Sequence, residues 1–276
     1  MLDYPKCDFH AHTCFSDGKC TPEEMVLEAI RKGLHTIGFS DHSFTPFDTQ
    51  PCASPQSTTT GRLEVLRLKE KYKNQIHTLC GLEQDFYSEK PTEQYDYLIG
   101  SVHYVFKDHV YRSVDQSKEV LLKNVKEGFG GDFYRFSSAY YEEVGQIVKK
   151  TNCQIVGHFG LIEKFNEGNA LFSTEDYRYR RAVIDALDEL LKHDVIFEIN
   201  TGAIARGHRS TPYPSPYVLR RIAEKRGAVV LNSDAHVKEN IAYGFADAVR
   251  YARSCGIGGL AVWENGGWEV HPLKLV

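Results

Sequence analysis

The chain has 276 residues, of which 42% are hydrophobic and 25% charged, so it can form a substantial core and is neither disordered nor collagen-like. Its 37 acidic and 33 basic residues give a net charge of −4 and argue against a surface that binds nucleic acid or anionic lipid. No stretch approaches the ~18 consecutive apolar residues of a membrane helix, which predicts a cytoplasmic protein with no membrane partner.

Short apolar runs alternate with helical patterns along the chain. The apolar runs predict seven strands, with a further candidate at 260–263: 6–9, 36–39, 76–82, 97–102, 154–156, 195–199 and 228–231. The segments with helical period are 22–32, 61–74, 116–125, 137–151, 177–193, 216–226 and 239–255. Since strands that alternate with helices form parallel β-α units, the pattern predicts an α/β fold with a parallel sheet.

Local signals mark two helix starts and one long loop. Thr21-Pro22-Glu23-Glu24 predicts a capping box with proline at the first helical position. Ser215-Pro216 predicts a serine cap followed by proline. The segment 45–60 is rich in Ser, Thr and Pro and is too long for a simple connector, which predicts a lid.

Seven cysteines are scattered along the chain without a CxxC pair. This spacing predicts reduced thiols rather than a disulfide framework or a cysteine-type zinc site. The twelve histidines are more informative because half of them follow predicted strands.

Most of the predicted strands lead directly into a histidine or a carboxylate. The first leads into His10 and His12, which share one face of an extended segment and can bind one ion, and Asp17 follows in a Ser-Asp-Gly turn. The other groups of this kind are His42, Glu83, His103, His158, Asp234 and His236. Because the carboxyl ends of barrel strands converge at one mouth, the pattern predicts a metal site there rather than separate polar groups of the core.

The loop after the sixth strand carries a second candidate feature. Arg206 and His208 precede the predicted helix start at Ser215, and this combination suits an oxyanion. The alternative is that these are solvated surface charges, which is the interpretation favoured for Arg209. Four further residues follow strand ends and are candidate walls of a substrate pocket: Phe44, Tyr104, Glu163 and Phe165.

The order of the motifs, HxH with a following SDG and then SDH, GLE, SVH, GH and SDAH, resembles the polymerase and histidinol phosphatase (PHP) superfamily. Within it, the chain resembles the monofunctional histidinol-phosphate phosphatases, over residues 10–236. The resemblance implies a distorted (β/α)7 TIM-like barrel with the metal site at the carboxyl mouth of the strands. It also implies one domain over 1–276, with lid-like loops at about 45–60, 160–176 and 201–214.

The resemblance further implies three divalent ions, which the donor types leave open as zinc, iron or manganese. One ion would be held by His10, His12, Glu83 and Asp234. A second would share Glu83 as a bridge and add His103 and His158. The third would be held by Asp17, His42 and His236. Asp17 departs from the histidine that many superfamily members have there, but it still offers an oxygen ligand.

The implied activity is hydrolysis of L-histidinol phosphate to L-histidinol and phosphate, in histidine biosynthesis, by a metal-bridging hydroxide. Asp17, Asp234 and Arg206 would be catalytic, and Arg206 and His208 would bind phosphate. Three divalent ions exceed the charge of the three carboxylates among the ligands, which favours an anionic phosphoester. The alternatives are another small phosphate ester, a nuclease, which the acidic balance disfavours, and a non-catalytic module, which the complete ligand set disfavours. The oligomeric state stays open.

Overall fold

The computed structural model describes residues 2–48 and 53–275. Its strands are β1 Leu2–Asp3, β2 Cys7–Asp8, β3 Thr36–Phe39, β4 His77–Asp85, β5 Tyr97–Ser101, β6 Tyr104–Lys107, β7 Val110–Ser113, β8 Ile155–Val156, β9 Ile196–Asn200, β10 Ala228–Asn232, β11 Gly259–Glu264, β12 Gly267–Pro272 and β13 Lys274–Leu275. Its α-helices are α1 Pro22–Arg31, α2 Pro55–Lys71, α3 Lys118–Phe129, α4 Phe133–Thr151, α5 Tyr177–Leu190, α6 Gly202–Ala205, α7 Pro216–Glu224 and α8 Phe245–Ser254.

Seven of these strands form one parallel sheet in the order β10-β9-β8-β5-β4-β3-β2. The sheet nearly closes into a barrel, because Ala11 after β2 bridges to Ala235 after β10. The His12 amide donates to the Ala235 carbonyl at 2.9 Å, and the Ala235 amide donates to the His10 carbonyl. The predicted seven-stranded α/β barrel is therefore confirmed, and its closure brings the two ends of the predicted metal motif series together.

The candidate strand at 260–263 does not join the barrel. It belongs to β11, which pairs with β12 in a separate antiparallel hairpin. Trp268 of this hairpin packs edge-on against Phe9, with ring centroids 4.9 Å apart, and against Tyr97 at 5.9 Å. The hairpin thus covers apolar side chains that belong to the barrel strands, where burial of aromatic area is a large stabilising contribution.

The long predicted loop at 45–60 is shorter in the structure. Helix α2 begins at Pro55, with Ser54 and Ser57 forming a capping box, whereas the helical pattern predicts a start at 61. The hydroxyls of Thr58, Thr59 and Thr60 donate to carbonyls four residues earlier, so these polar side chains are satisfied within the helix. Residues 49–52 of the predicted lid lie outside the described residues.

The other helix predictions need smaller corrections. The capping box at Thr21 and Glu24 is confirmed. Ser215 stands at the start of α7, but its hydroxyl makes no capping hydrogen bond among the residues described. Helix α8 begins at Phe245 after a 3-10 turn at Lys238–Asn240, later than the predicted start at 239. The predicted loops at 160–176 and 201–214 contain two 3-10 turns and the short helix α6.

None of the helices within residues 2–48 and 53–275 is long and apolar enough to cross a membrane. The six cysteines in the described ranges are free, as predicted. The cytoplasmic location stays a prediction.

Candidate metal centre

All nine predicted ligands lie at the carboxyl mouth of the barrel. Glu83, in β4, is buried, and its two carboxylate oxygens face different sets of rings. Oε1 lies 2.8 Å from Nε2 of His158 and 3.4 Å from Nε2 of His103. Oε2 lies 3.4 Å from Nε2 of His10 and 3.5 Å from Nε2 of His12. This division of its oxygens between two sets of imidazoles is the arrangement that a bridging carboxylate requires.

A second group forms around Asp17. Its carboxylate lies 3.1 Å from Nε2 of His236, 3.6 Å from Nε2 of His42 and 3.6 Å from Nδ1 of His12. The turn that carries Asp17 is held by half-buried Asp41, which accepts hydrogen bonds from the Thr13 amide and hydroxyl at 2.6 and 2.7 Å. The position of Asp17 is therefore supported by Asp41, which follows β3, as well as by the neighbouring imidazoles.

Asp234 completes a third group with His10 and His12. Its Oδ1 lies 3.3 Å from Nε2 of His12. The backbone of Asp234 has a φ of +51°, which is uncommon for a residue other than glycine. Such conformations persist where the surrounding structure over-determines them, often at functional sites.

His42 departs from the arrangement that the resemblance implies. Its Nε2 faces Asp17, as expected, but its Nδ1 lies 2.9 Å from Oε2 of Glu83. It therefore forms a further potential ligand group with Glu83 and His103. The imidazole of His42 connects the Asp17 group to the Glu83 group.

The side chains fit metal ions. Among the buried side-chain atoms that make no hydrogen bond within the described residues, four lie together at the mouth: Nε2 of His10, Nδ1 and Nε2 of His12, and Oε2 of Glu83. Leaving buried polar atoms unpaired is costly, and the clustering of four of them at one mouth favours a bound ligand there. Imidazole nitrogens combined with carboxylate oxygens form the donor set of zinc, iron and manganese sites.

The electrostatics keep the carboxylates ionised and one imidazole neutral. Burial alone would raise the pKa of Glu83, but the neighbouring His42 and His10 rings outweigh it and hold the pKa well below its usual value. Burial, together with the rings of His236 and His42, lowers the pKa of His12 to about 3. His12 is therefore neutral at physiological pH and has a lone pair for an ion.

Comparison with known proteins agrees with this geometry. The PHP domain family matches residues 8–202. The chain belongs to the PHP family. As a PHP protein it is a phosphoesterase with histidine and carboxylate groups that can bind metal.

Curated relatives cover most of this PHP phosphoesterase. A Schizosaccharomyces pombe protein named "Probable histidinol-phosphatase" is 26% identical over 88% of this chain and 84% of its own length. The Bacillus subtilis histidinol-phosphatase is 24% identical over 87% of this chain and 97% of its own. The solved histidinol phosphate phosphatase of Lactococcus lactis, in complex with zinc, L-histidinol and phosphate, superposes with a TM-score of 0.73 at 19% identity. That comparison covers 97% of this chain and 100% of the other.

Glu198 is a buried residue of the PHP site that the sequence prediction missed. Four nitrogen atoms lie within hydrogen-bond distance of its carboxylate: Nδ1 of His10 at 2.6 Å, the His158 amide at 2.6 Å, and Nδ2 of Asn200 and Asn232, each at 2.9 Å. A carboxylate that accepts from Nδ1 fixes the tautomer of His10, so that Nε2 is free for an ion. The signal was present, because Glu198 is the charged residue within the apolar run 195–199.

Glu198 and Asp85 also change the charge balance. The sequence-based count of negative charges included Asp17, Glu83 and Asp234 alone. The structure adds Glu198 beneath His10, and Asp85, whose Oδ2 lies 3.1 Å from Nδ1 of His103. The positive charge predicted for the metal-loaded mouth is therefore smaller than the ligands alone indicate.

Arg206 lies at the mouth, but against a predicted ligand. Its guanidinium donates to Oδ2 and to the backbone carbonyl of Asp234, each at 2.9 Å. One of its nitrogens also lies 3.2 Å from Nδ1 of His236. Arg206 is thus placed to orient Asp234, and its contact with phosphate stays a prediction.

Of the remaining candidates from the sequence, Arg209 and Glu163 are paired in the core, whereas His208 is partly exposed. Arg209 is not a surface charge, because it is buried in an ion pair with Glu163 at 3.1 Å. Glu163 also accepts a hydrogen bond from the Tyr179 hydroxyl at 2.7 Å, so it is engaged in the core rather than in a substrate wall. His208 is partly buried and meets Phe165 edge-on, with ring centroids 5.3 Å apart, and its role in phosphate binding stays a prediction.

Proposed function

We propose that the chain hydrolyses L-histidinol phosphate to L-histidinol and phosphate with the help of bound divalent ions. The observation that carries the proposal is the convergence of unpaired buried nitrogen and oxygen atoms on Glu83. The names of the Schizosaccharomyces pombe and Bacillus subtilis relatives support the choice of substrate. The bound L-histidinol and phosphate in the Lactococcus lactis structure support it as well.

We assign the side chains to three ions as the resemblance implies. Glu83 would bridge two ions, one with His10, His12 and Asp234 and the other with His103 and His158. Asp17, His42 and His236 would hold the third. The separate directions of the two Glu83 oxygens and the Asp17 group support this assignment.

Bound divalent ions would supply positive charge to the phosphoryl oxygens and lower the pKa of water toward about 7. The protein contributes orientation and charge. Glu198 and Asp85 hold His10 and His103 in a fixed orientation. Asp17 is ionised at neutral pH, because His42 and His236 outweigh the effect of burial and lower its pKa below the usual value. We therefore assign Asp17 and Asp234 to catalysis as ion ligands, not as proton donors.

A panel of substrates tests the proposal. The protein, supplied with zinc or manganese, should release phosphate from L-histidinol phosphate with a higher kcat/KM than from other small phosphomonoesters. A single-stranded DNA oligonucleotide serves as the substrate of the alternative nuclease activity. Faster cleavage of the oligonucleotide, or of an unrelated phosphomonoester, would contradict the proposed substrate.

Arg206 gives a further prediction. Arg206→Ala should lower kcat/KM by a factor equivalent to about 2–4 kcal/mol of lost transition-state stabilisation, as removal of a transition-state donor does elsewhere. Arg206→Lys should recover part of the loss, since lysine lacks the fork that can pair with a carboxylate or a phosphate. Because we assign the guanidinium to the phosphoryl end of the substrate, the loss should be equal for L-histidinol phosphate and p-nitrophenyl phosphate. A loss confined to L-histidinol phosphate, with inhibition by inorganic phosphate unchanged, would contradict this role.

A further inference from the structure

A cavity of ≈ 400 Å³ lies beside the metal centre, and we call it the side cavity. Three of the predicted ligands line one side of it: Asp17, His42 and His103. The other side is formed largely by hairpin β6–β7 and the residues that follow it, including Tyr104, Tyr111 and Asp115. The volume lies within the range of small-molecule sites. A phosphate ester whose phosphoryl group lies at the metal centre would therefore extend its alcohol half into the side cavity.

One wall of the side cavity is aromatic. The rings of Phe47 and Tyr111 are stacked, with centroids 3.5 Å apart and an angle of 6° between their planes. Tyr104 meets Phe47 edge-on at 5.0 Å. Aromatic walls of this kind bind flat rings, and their faces attract cations.

The charged residues of the side cavity are mostly acidic. Apart from the predicted ligands, three carboxylates line it, Asp48, Asp85 and Asp115, against one ammonium group, that of Lys164, and Asp85 is already paired with Nδ1 of His103. The Lys164 ammonium is already engaged, since it donates to the backbone carbonyl of Asp115 at 2.8 Å and to its Oδ2 at 3.1 Å. A cleft with an excess of one charge concentrates ligands of the opposite charge. Away from the metal ligands, the wall of the side cavity therefore favours a cationic group.

Asp115 is the carboxylate best placed to meet such a group. Burial raises its pKa, but Lys164 and His103 outweigh that effect and lower the pKa to about 2, so that Asp115 is ionised at neutral pH. Lys164 engages Oδ2, whereas Oδ1 accepts no hydrogen bond from the residues that the structure describes. The side chain is 23% exposed. One oxygen of a charged, oriented carboxylate is thus available to a ligand in the side cavity.

We propose that the side cavity selects phosphate esters whose alcohol half carries both a flat ring and a positive charge, and that Asp115 distinguishes cationic alcohols from neutral ones. The inference rests on the proposed function, since it takes the phosphoryl group to lie at the metal centre. It assigns specificity to the β6–β7 side of the mouth. The metal ligands and Arg206 would act on every phosphate ester alike.

The test compares Asp115→Asn with a matched control, Asp108→Asn. Asp108 lies in the turn of the same hairpin, its side chain is 65% exposed, and it does not line the side cavity. For each metal-loaded variant, kcat/KM is measured with L-histidinol phosphate and with the neutral aryl ester p-nitrophenyl phosphate. Asp115→Asn should lower the value for L-histidinol phosphate about 10- to 100-fold, the range of one hydrogen bond to a charged group. The value for p-nitrophenyl phosphate should not change, and the control should match the unmodified protein with both substrates.

An equal loss with both substrates, or no loss with L-histidinol phosphate, would overturn the inference while leaving the proposed function in place. If the unmodified protein hydrolyses neither ester, the proposed function fails and the inference fails with it. Assays of the unmodified protein alone show whether the proposed function holds, before any variant is compared.

A second measurement needs no variant, so it holds even if Asp115→Asn does not fold. The measurement compares how strongly two alcohols inhibit hydrolysis of p-nitrophenyl phosphate by the unmodified protein. The first is L-phenylalaninol, and the second is 3-phenylpropan-1-ol, which has the same ring and alcohol but no amine. The cationic amino alcohol should inhibit at a concentration at least about tenfold lower. Equal inhibition by the two alcohols would overturn the inference.

Discussion

Treatment with EDTA should abolish phosphate release and lower the melting temperature of the protein. The expected decrease is roughly 5–10 °C for an ion that is otherwise present at about 100 times its Kd. The reason is the unpaired buried atoms of His10, His12 and Glu83, which a bound ion would satisfy. Activity assays and a thermal melt on the same sample measure both effects. Added zinc or manganese should restore the activity and the melting temperature.

The control for this experiment is the Glu83→Gln variant, which lacks the central carboxylate. Its melting temperature should fall less with EDTA than that of the unmodified protein, since it is expected to retain only the ion of the Asp17 group. Full activity of a protein shown by elemental analysis to be free of metal would contradict the metal-dependent mechanism.

Glu83→Gln should lose more metal than any other single substitution at the mouth. Its carboxylate contacts the rings of two proposed ion sites, whereas His42 is assigned to one. Elemental analysis should therefore show a loss of two ions in Glu83→Gln and mainly one in His42→Ala. The loss of activity in Glu83→Gln should exceed the roughly 10- to 100-fold typical of residues that only orient a ligand.

A matched control for Glu83 is available on hairpin β11–β12. Glu264 also faces a histidine, with Nε2 of His271 at 3.3 Å, but both side chains are largely exposed. Glu264→Gln should leave metal content and activity unchanged, because exposed groups of this kind retain their hydration. Equal metal content in Glu83→Gln and His42→Ala would contradict the bridging assignment.

The barrel could be predicted from the sequence because its strands are continuous apolar runs, as buried parallel strands are. The predicted ligands could be found because each follows directly after such a run. Glu198 was missed because it lies inside a run, where the apolar neighbours Phe197 and Ile199 conceal a side chain that is as deeply buried as they are. A single charged residue within a buried strand is the pattern that predicts a carboxylate paired with a metal-binding histidine.

Hairpin β6–β7 was missed for a different reason. Its turn is formed by Asp108 and His109, both with positive φ, and lacks the glycine that usually marks a two-residue turn. The side cavity depends on this hairpin, so its aromatic and acidic walls could not be assembled from the sequence. Likewise, the pairing of Arg206 with Asp234 joins residues from two loops and follows from the closed barrel alone.

The most direct test of the metal centre is anomalous diffraction from crystals of the metal-loaded protein. Peaks are expected between the two Glu83 oxygens and their facing histidines, and a further peak among Asp17, His42 and His236. In crystals of Glu83→Gln, the anomalous peaks beside residue 83 should be lower. Active crystals with no anomalous peak at the carboxyl mouth of the barrel would contradict the metal centre, and with it the proposed phosphatase mechanism.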